Sequence, residues 1–381
     1  MPCYVGWPAR GVRYATRNSF RRPHDTGRAA PRGVLKAILD TFRSFLHRVL
    51  PAAWARRGAL ACVLWPVSVA FAALVRLRRG LYALGILQVW RAPVPVVVVG
   101  NITVGGSGKT PLLINLCQAL RAAGFSPGVV SRGHGGAAQG VLAVAPGVSA
   151  DLAGDEPVLI HRRTGCPVFV SRRRVQAAQA LLERHPEVDV ILADDGLQHL
   201  ALGRDVEIVV MDARGVGNGF MLPAGPLRES VSRLVGVDAV VVNGRPATHP
   251  VSDETPCFAM SLVGAQFHNL ADPGLVCGPQ ALQALPGALH AMAGIGHPAR
   301  FFAHLRGLGL AVSEHPFPDH HAYRLEDLSF AQHGVLLMTE KDAVKCAPFA
   351  KPWMWVLRVD AVLEPDLTPK LVEWINGRKT A

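Results

Sequence analysis

The sequence has no CxxC pair. Its seven cysteines, Cys3, Cys62, Cys117, Cys166, Cys257, Cys277 and Cys346, are widely spaced and odd in number. That argues against a disulfide framework and a structural zinc site, and it fits a reducing compartment. Aromatic residues make up only 7% of the chain and charged residues 18%. A nucleic-acid binder would need basic residues interleaved with aromatics over a folded face, so no nucleic-acid partner is expected. Internal repeats and low-complexity arrays are also missing. Acids are scarce at the N-terminus, where residues 1–57 hold eleven Arg and one Lys against Asp25 and Asp40. That segment carries +10 of the chain's +12, so the basic character describes an arm and not the body.

What is present suits a folded chain with a sizeable core. Half of the 381 residues are hydrophobic, and the length fits two domains. Residues 1–33 are rich in Arg, Gly and Pro without an apolar period, which predicts disorder. An over-called start codon and a mitochondrial-type targeting peptide fit the same composition. Residues 1–53 are therefore read as a basic extension.

Residues 59–75 form an uncharged run, ALACVLWPVSVAFAALV, between Arg56-Arg57 and Arg76, Arg78 and Arg79. As a helix it would reach about 26 Å, slightly short of a hydrocarbon core of about 30 Å. Three readings fit: a buried core helix, a short spanning helix, or a helix embedded in one leaflet with arginines at the headgroups. Residues 54–90 are assigned to this segment.

From Pro93 the pattern alternates. Apolar, β-branched runs recur at 94–99, 188–193, 206–211, 237–242 and 334–338, with helical stretches such as 112–123 between many of them. This predicts an α/β fold with a parallel sheet covered on both faces. The Pro- and Gly-rich stretch 246–286 is the expected boundary zone. It separates a larger unit, 91–262, from a smaller C-terminal α/β unit, 263–381.

The segment VPVVVVGNITVGGSGKTPLLINLCQAL runs from a buried strand through glycines into a helix. That is the context of a phosphate-cradling loop. Thr103, Val104, Gly105, Gly106, Ser107, Gly108, Lys109 and Thr110 are the candidate nucleotide-binding residues. Backbone N–H groups and the helix N-terminus would face phosphate oxygens, Lys109 would reach the outer phosphates, and the Thr110 hydroxyl suits Mg²⁺. A strict motif has Gly where this chain has Thr103. In VDVILADDGLQHL, a second strand delivers Asp194 and Asp195 at its C-terminal edge, where one carboxylate can hold Mg²⁺.

These segments resemble the tetraacyldisaccharide 4'-kinase family. Further motifs agree: Ser131-Arg132-Gly133 with Gly135, Gly154-Asp155-Glu156-Pro157, DDGLQH at 194–199, LPAGPLRE at 222–229, GIGHPARFF at 294–302, FPDHH at 317–321 and TEKDAVKC at 339–346. The resemblance covers roughly residues 54–381. It implies two α/β/α sandwich domains, the larger one P-loop NTPase-like, with the site in their cleft and an N-terminal membrane-associated helix. It implies ATP and Mg²⁺, and an acylated disaccharide lipid as acceptor. It also implies a monomer at the bacterial inner membrane with its site on the cytoplasmic face.

The resemblance further suggests Asp155 as the base and His320 as its helper, with Lys109, Arg174 and Arg228 stabilising phosphate charge. Glu229 would assist the metal held by Thr110, Asp194 and Asp195. Gln198 and His199 would shape the nucleotide pocket. His134 stands where the family usually has Tyr. In TEKD, Glu340, Lys341 and Asp342 are read as a domain-packing ion cluster. The competing reading is a regulatory or metallochaperone NTPase, which should carry a CxxC or a His tract; the chain has neither.

Overall fold

The computed structural model describes residues 53–244 and 255–379. The basic extension assigned to 1–53 lies almost wholly outside the described residues, as does part of the expected boundary zone.

Two sheets carry the chain. The first has nine strands in the order β15-β8-β7-β6-β1-β5-β2-β4-β3. They are β1 (Val96–Gly100), β2 (Pro127–Ser131), β3 (Leu142–Val144), β4 (Val168–Val170), β5 (Val190–Asp194), β6 (Val206–Asp212), β7 (Ala239–Asn243), β8 (Cys257–Val263) and β15 (Asp360–Glu364). All pairings are parallel except the two at the edges, β3 with β4 and β15 with β8. The apolar runs explain this burial. Val97 and Val99 join one core and Val96 and Val98 the other, so β1 is covered on both faces.

The second sheet runs β10-β9-β14-β13-β11-β12. Its strands are β9 (Phe267–Asn269), β10 (Val276–Cys277), β11 (Leu289–Ala293), β12 (Ser313–Pro316), β13 (Val335–Thr339) and β14 (Met354–Leu357). It too separates two cores, with Ala291 and Leu337 on one side and Met292 and Leu336 on the other.

The stretch expected to be a boundary is more structured than its composition suggested. Within it, β8 extends the first sheet and β9 opens the second. The end of the chain also departs from a simple 263–381 unit. β15 pairs back onto β8, and Leu367, Leu371 and Ile375 enter the same core as Leu112 and Leu116. Their apolar spacing gave no sign of which sheet they would join.

The uncharged run forms helix α1 (Ala59–Ala83), eight residues longer than expected and containing Pro66. It is long and apolar enough to cross a membrane by length and composition, and only 11% of its most apolar window is buried. The buried-core reading is therefore excluded. Ala61 and Ser68 face the body, while Val63, Trp65, Val67, Leu74 and Leu77 are exposed.

Candidate active site

Gly100 ends β1, and residues 101–108 lead into helix α2 (Lys109–Ala122). The loop bends at Gly105 (φ 108°) and Gly108 (φ 95°), the left-handed region that glycine tolerates. Thr103 needs no such freedom. It is buried and bridged to Leu227, so its replacement of a strict-motif glycine is compatible with the loop. Asn101 braces the turn, donating to the Gly105 carbonyl (3.3 Å) and the Ser107 hydroxyl (3.3 Å). Asn243 at the end of β7 donates to the Ser107 carbonyl at 3.0 Å. A Cβ on Gly108 would stand 2.3 Å from that Asn243 nitrogen.

The neighbouring strand β5 delivers the acid pair. Asp194 is buried and accepts from Ser131 Oγ at 2.8 Å, while its other oxygen, Oδ1, has no hydrogen-bond partner. Burial, with Glu156 and Asp195 nearby, pushes its pKa up to about 7. Asp195 adopts φ 46° and faces two cations, Lys109 at 3.5 Å and Arg228 at 3.1 Å. Burial alone would raise its pKa. Lys109, Arg228 and Arg174 outweigh that and hold it below the usual carboxylate range. Buried Arg174 reaches the backbone carbonyls of both acids, at 3.1 and 2.9 Å.

A second cluster joins the two sheets. Asp155 opens helix α3 (Asp155–Thr164), beside the first sheet. His320 follows β12 of the second, at φ 59°. His320 Nδ1 lies 3.1 Å from Asp155 Oδ2. Lys341 and Lys345 place their ammonium groups 3.9 and 4.0 Å from the same oxygen. Burial works to raise the Asp155 pKa, but His320 and the two lysines overcome it and the net shift is downward. The hydrogen bond to Asp155 raises His320. His134 stands with its ring centre 4.8 Å from that of His320, and burial lowers its pKa.

Gly296 connects the clusters. A Cβ there would lie 3.1 Å from the Gly106 nitrogen and 3.5 Å from Asp319. Its loop thus touches both the phosphate loop and the segment bearing His320.

A family model described as "Tetraacyldisaccharide-1-P 4'-kinase" matches residues 60–376. The chain belongs to the tetraacyldisaccharide 4'-kinase family. It is similar to the tetraacyldisaccharide 4'-kinase of Azoarcus sp., 49% identical over 332 residues, covering 87% of this chain and 97% of that one. The Dechloromonas aromatica relative is 53% identical over 289 residues, covering 76% and 86%. The solved LpxK of Aquifex aeolicus in complex with ATP is 29% identical, with a TM-score of 0.70, and covers 83% of this chain and 98% of that one.

Within this kinase fold the expected residues fall into three groups. Lys109, Arg228, Arg174, Asp194 and Asp195 gather at the loop, and Asp155 meets His320. Thr110 lies in the first turn of α2, with Gly105, Gly106, Ser107 and Gly108 before it. Val104 departs from expectation, because its N–H is spent on the Pro226 carbonyl at 2.9 Å. Gln198 braces the loop from behind, donating to the Asn101 carbonyl and to Glu229.

The oxygens of Glu229 are held by Arg79 at 2.6 Å, Gln198 at 2.9 Å and Arg233 at 3.5 Å, as those of Asp195 are held by Lys109 and Arg228. Among the described residues no three His, Cys, Asp or Glu side chains form a metal cluster. Mg²⁺ is commonly bound through one or two carboxylates and fills its shell with phosphate and water. Unpartnered Asp194 Oδ1 is such an oxygen.

Sequence reasoning placed Lys341 in a domain-packing cluster but not beside Asp155, and it missed Lys345 there and Asn243 and Arg214 against the loop. Lys341 also pairs with Glu156 and Asp319. The TEKDAVKC motif contained the two lysines, and their recurrence four residues apart puts them on one helical face.

Proposed function

We propose that Asp155 is the base through which this kinase moves the γ-phosphoryl group of ATP to the 4'-hydroxyl of a tetraacylated glucosamine disaccharide 1-phosphate. The observation that carries the residue roles is the 3.1 Å contact between Asp155 and His320, one from each sheet. Asp155 accepts the hydroxyl proton as the sugar oxygen bonds to the γ-phosphorus, the bond to the β-phosphate oxygen breaks and ADP departs. A weakly basic carboxylate serves, because in a loose transition state the proton moves late and orientation matters more than basicity. His320 orients Asp155 and keeps it ionised.

Lys109 and Arg228, now shared with Asp195, turn to phosphate oxygens when a triphosphate enters. The loop N–H groups of 105–108 and the start of α2 add to that field. Arg174 holds the backbone of the acid pair in place. Mg²⁺, held by Asp194, Asp195 and the Thr110 hydroxyl, would neutralise charge developing on the phosphates.

The domains proposed for this work are a nucleotide unit built on the first sheet and a smaller unit built on the second. One chain supplies both sides of the cleft, so a monomer holds every residue the proposed reaction uses. Helix α1 lies in one leaflet and does not span. Its N-terminal side is tied to the body by Trp54 and Arg57 at Pro223 and Asn218, and its C-terminal side by Arg78 and Arg79 at Gln198 and Glu229. A helix held at both ends by one polar body cannot put those ends on opposite sides of a bilayer. With ATP as donor, that body lies on the cytoplasmic face of the bacterial inner membrane.

The test is transfer of label from Mg-ATP to the acylated disaccharide 1-phosphate by detergent-solubilised enzyme. Asp155→Ala is expected to lower kcat by at least about a hundredfold, the scale of general-base catalysis, with ATP affinity kept. Near-normal turnover would remove Asp155 from the role.

A further inference from the structure

The C-terminal end of α1 borders a cavity of about 270 Å³ that the phosphoryl-transfer chemistry does not use. Its lining includes Arg79, Tyr82, Arg91, Leu200, Leu202 and Arg204. Trp90 and Arg91 precede β1, and Leu202 and Arg204 precede β6, with Trp90 bridged to Leu202. The cavity therefore opens at the N-terminal ends of these strands, whereas the phosphate loop follows the C-terminal end of β1. Arg79 of the lining links the cavity, through Glu229 and Gln198, to Asn101 of the loop.

Charge and apolar surface meet there. Arg79 has Glu229 as counter-ion, and Arg204 has Glu207. Arg91 has no ion pair or hydrogen bond among the described residues, so the cavity keeps a positive excess. Leu84, Ile86, Leu87 and Val89 stand exposed beside the cavity, continuing the apolar face of α1. A cationic hollow rimmed by exposed apolar side chains matches a phosphate headgroup whose acyl chains stay in the bilayer.

We infer that this cavity binds the phosphate headgroup of an anionic membrane phospholipid, docking the enzyme at a site separate from that of the acceptor lipid. This rests on the membrane-surface reading of α1 and not on the kinase chemistry. The acceptor also carries a phosphate. The exposed apolar rim that continues α1 favours bulk lipid as the source, and the experiment separates the two.

Full-length enzyme is floated with phosphatidylcholine vesicles, with and without phosphatidylglycerol. Three forms are compared: wild type, Arg91→Gln and Ala83→Trp. The second variant fills the cavity from α1 without changing charge. Thermal unfolding checks that each folds. Wild type is expected to bind the phosphatidylglycerol vesicles more tightly than the neutral ones. Arg91→Gln should lose roughly fivefold of that increment, as expected for one basic contact, and Ala83→Trp should lose it as well, each increment being taken relative to the same variant's binding to neutral vesicles.

If Ala83→Trp retains the increment, surface charge alone attracts the lipid and the cavity assignment falls. If either variant instead raises KM for the acceptor in phospholipid-free neutral micelles, the cavity belongs to the acceptor's phosphate and the inference is overturned. Flotation is read without turnover, so a failed kinase assay leaves this test intact.

Discussion

At Asp155 Oδ2 three cationic partners converge: His320, Lys341 and Lys345. A base so surrounded is held ionised at the cost of basicity, which suits a reaction that needs orientation more than proton affinity. Lys341→Met removes one of the charges that lower the Asp155 pKa. The acid limb of the kcat/KM profile should then move to higher pH, while ATP affinity stays the same; an unmoved limb would mean Lys341 only packs the cleft. The pair also links stability to pH. Asp155 is lowered from 3.8, so its contribution is present above that value and lost as pH falls through the lowered pKa. His320 is raised from 6.5, so its contribution is complete below that value and lost as pH rises through the raised pKa. The unfolding midpoint of His320→Ala should therefore fall furthest below wild type between about pH 4 and pH 6.5, with the gap narrowing on either side.

Helix α1 shows how far an element can be read from its residues. The uncharged run fixed its apolar nature and its start, since Ala59 begins both. Its end was hidden, because Arg76, Arg78 and Arg79 resemble a terminating cluster. The helix continues because Arg78 and Arg79 find partners on the body, at the Gln198 carbonyl and Glu229. The phosphate loop was legible for a different reason: its glycines and Gly108-Lys109-Thr110 are local, set by backbone geometry. The ion pair of Glu229 with Arg79 was not legible, because that partner lies 150 residues away in α1. Ser68 is the polar residue on the buried side of α1, and its Oγ accepts the Ala224 N–H at 2.9 Å. Ser68→Ala leaves that buried N–H unsatisfied and should cost about 1–3 kcal/mol, measured by denaturant unfolding. A change within error would mean that the helix is held by its two ends alone.

Across the described residues, charged side chains join the two sheets, as Arg300 does at Asn243 of β7, and two clusters stand out. One is the cleft cluster around Asp155. The other is Glu340, at the start of a helix following β13, which receives Arg163 from α3 at 2.6 Å to one oxygen and 2.7 Å to the other. Arg163 also reaches Asp360 on β15, so the returning C-terminal strand shares the junction. Burial raises the Glu340 pKa despite Arg163, which marks a carboxylate dependent on its partner. The domain-packing expectation for the TEKD acids thus finds a direct counterpart in Glu340, while Asp342 locks Tyr323 and Gly294 within the second unit. Arg163→Met should leave Glu340 buried and unpaired, at a cost of about 3–5 kcal/mol. Adding Glu340→Met removes the stranded charge and should recover most of that loss, since an apolar pair of similar size can replace a buried ion pair. Activity discriminates further. If the pair sets how the second unit carries His320 to Asp155, the double variant regains its unfolding midpoint while kcat stays depressed. If the pair only adds stability, both return together.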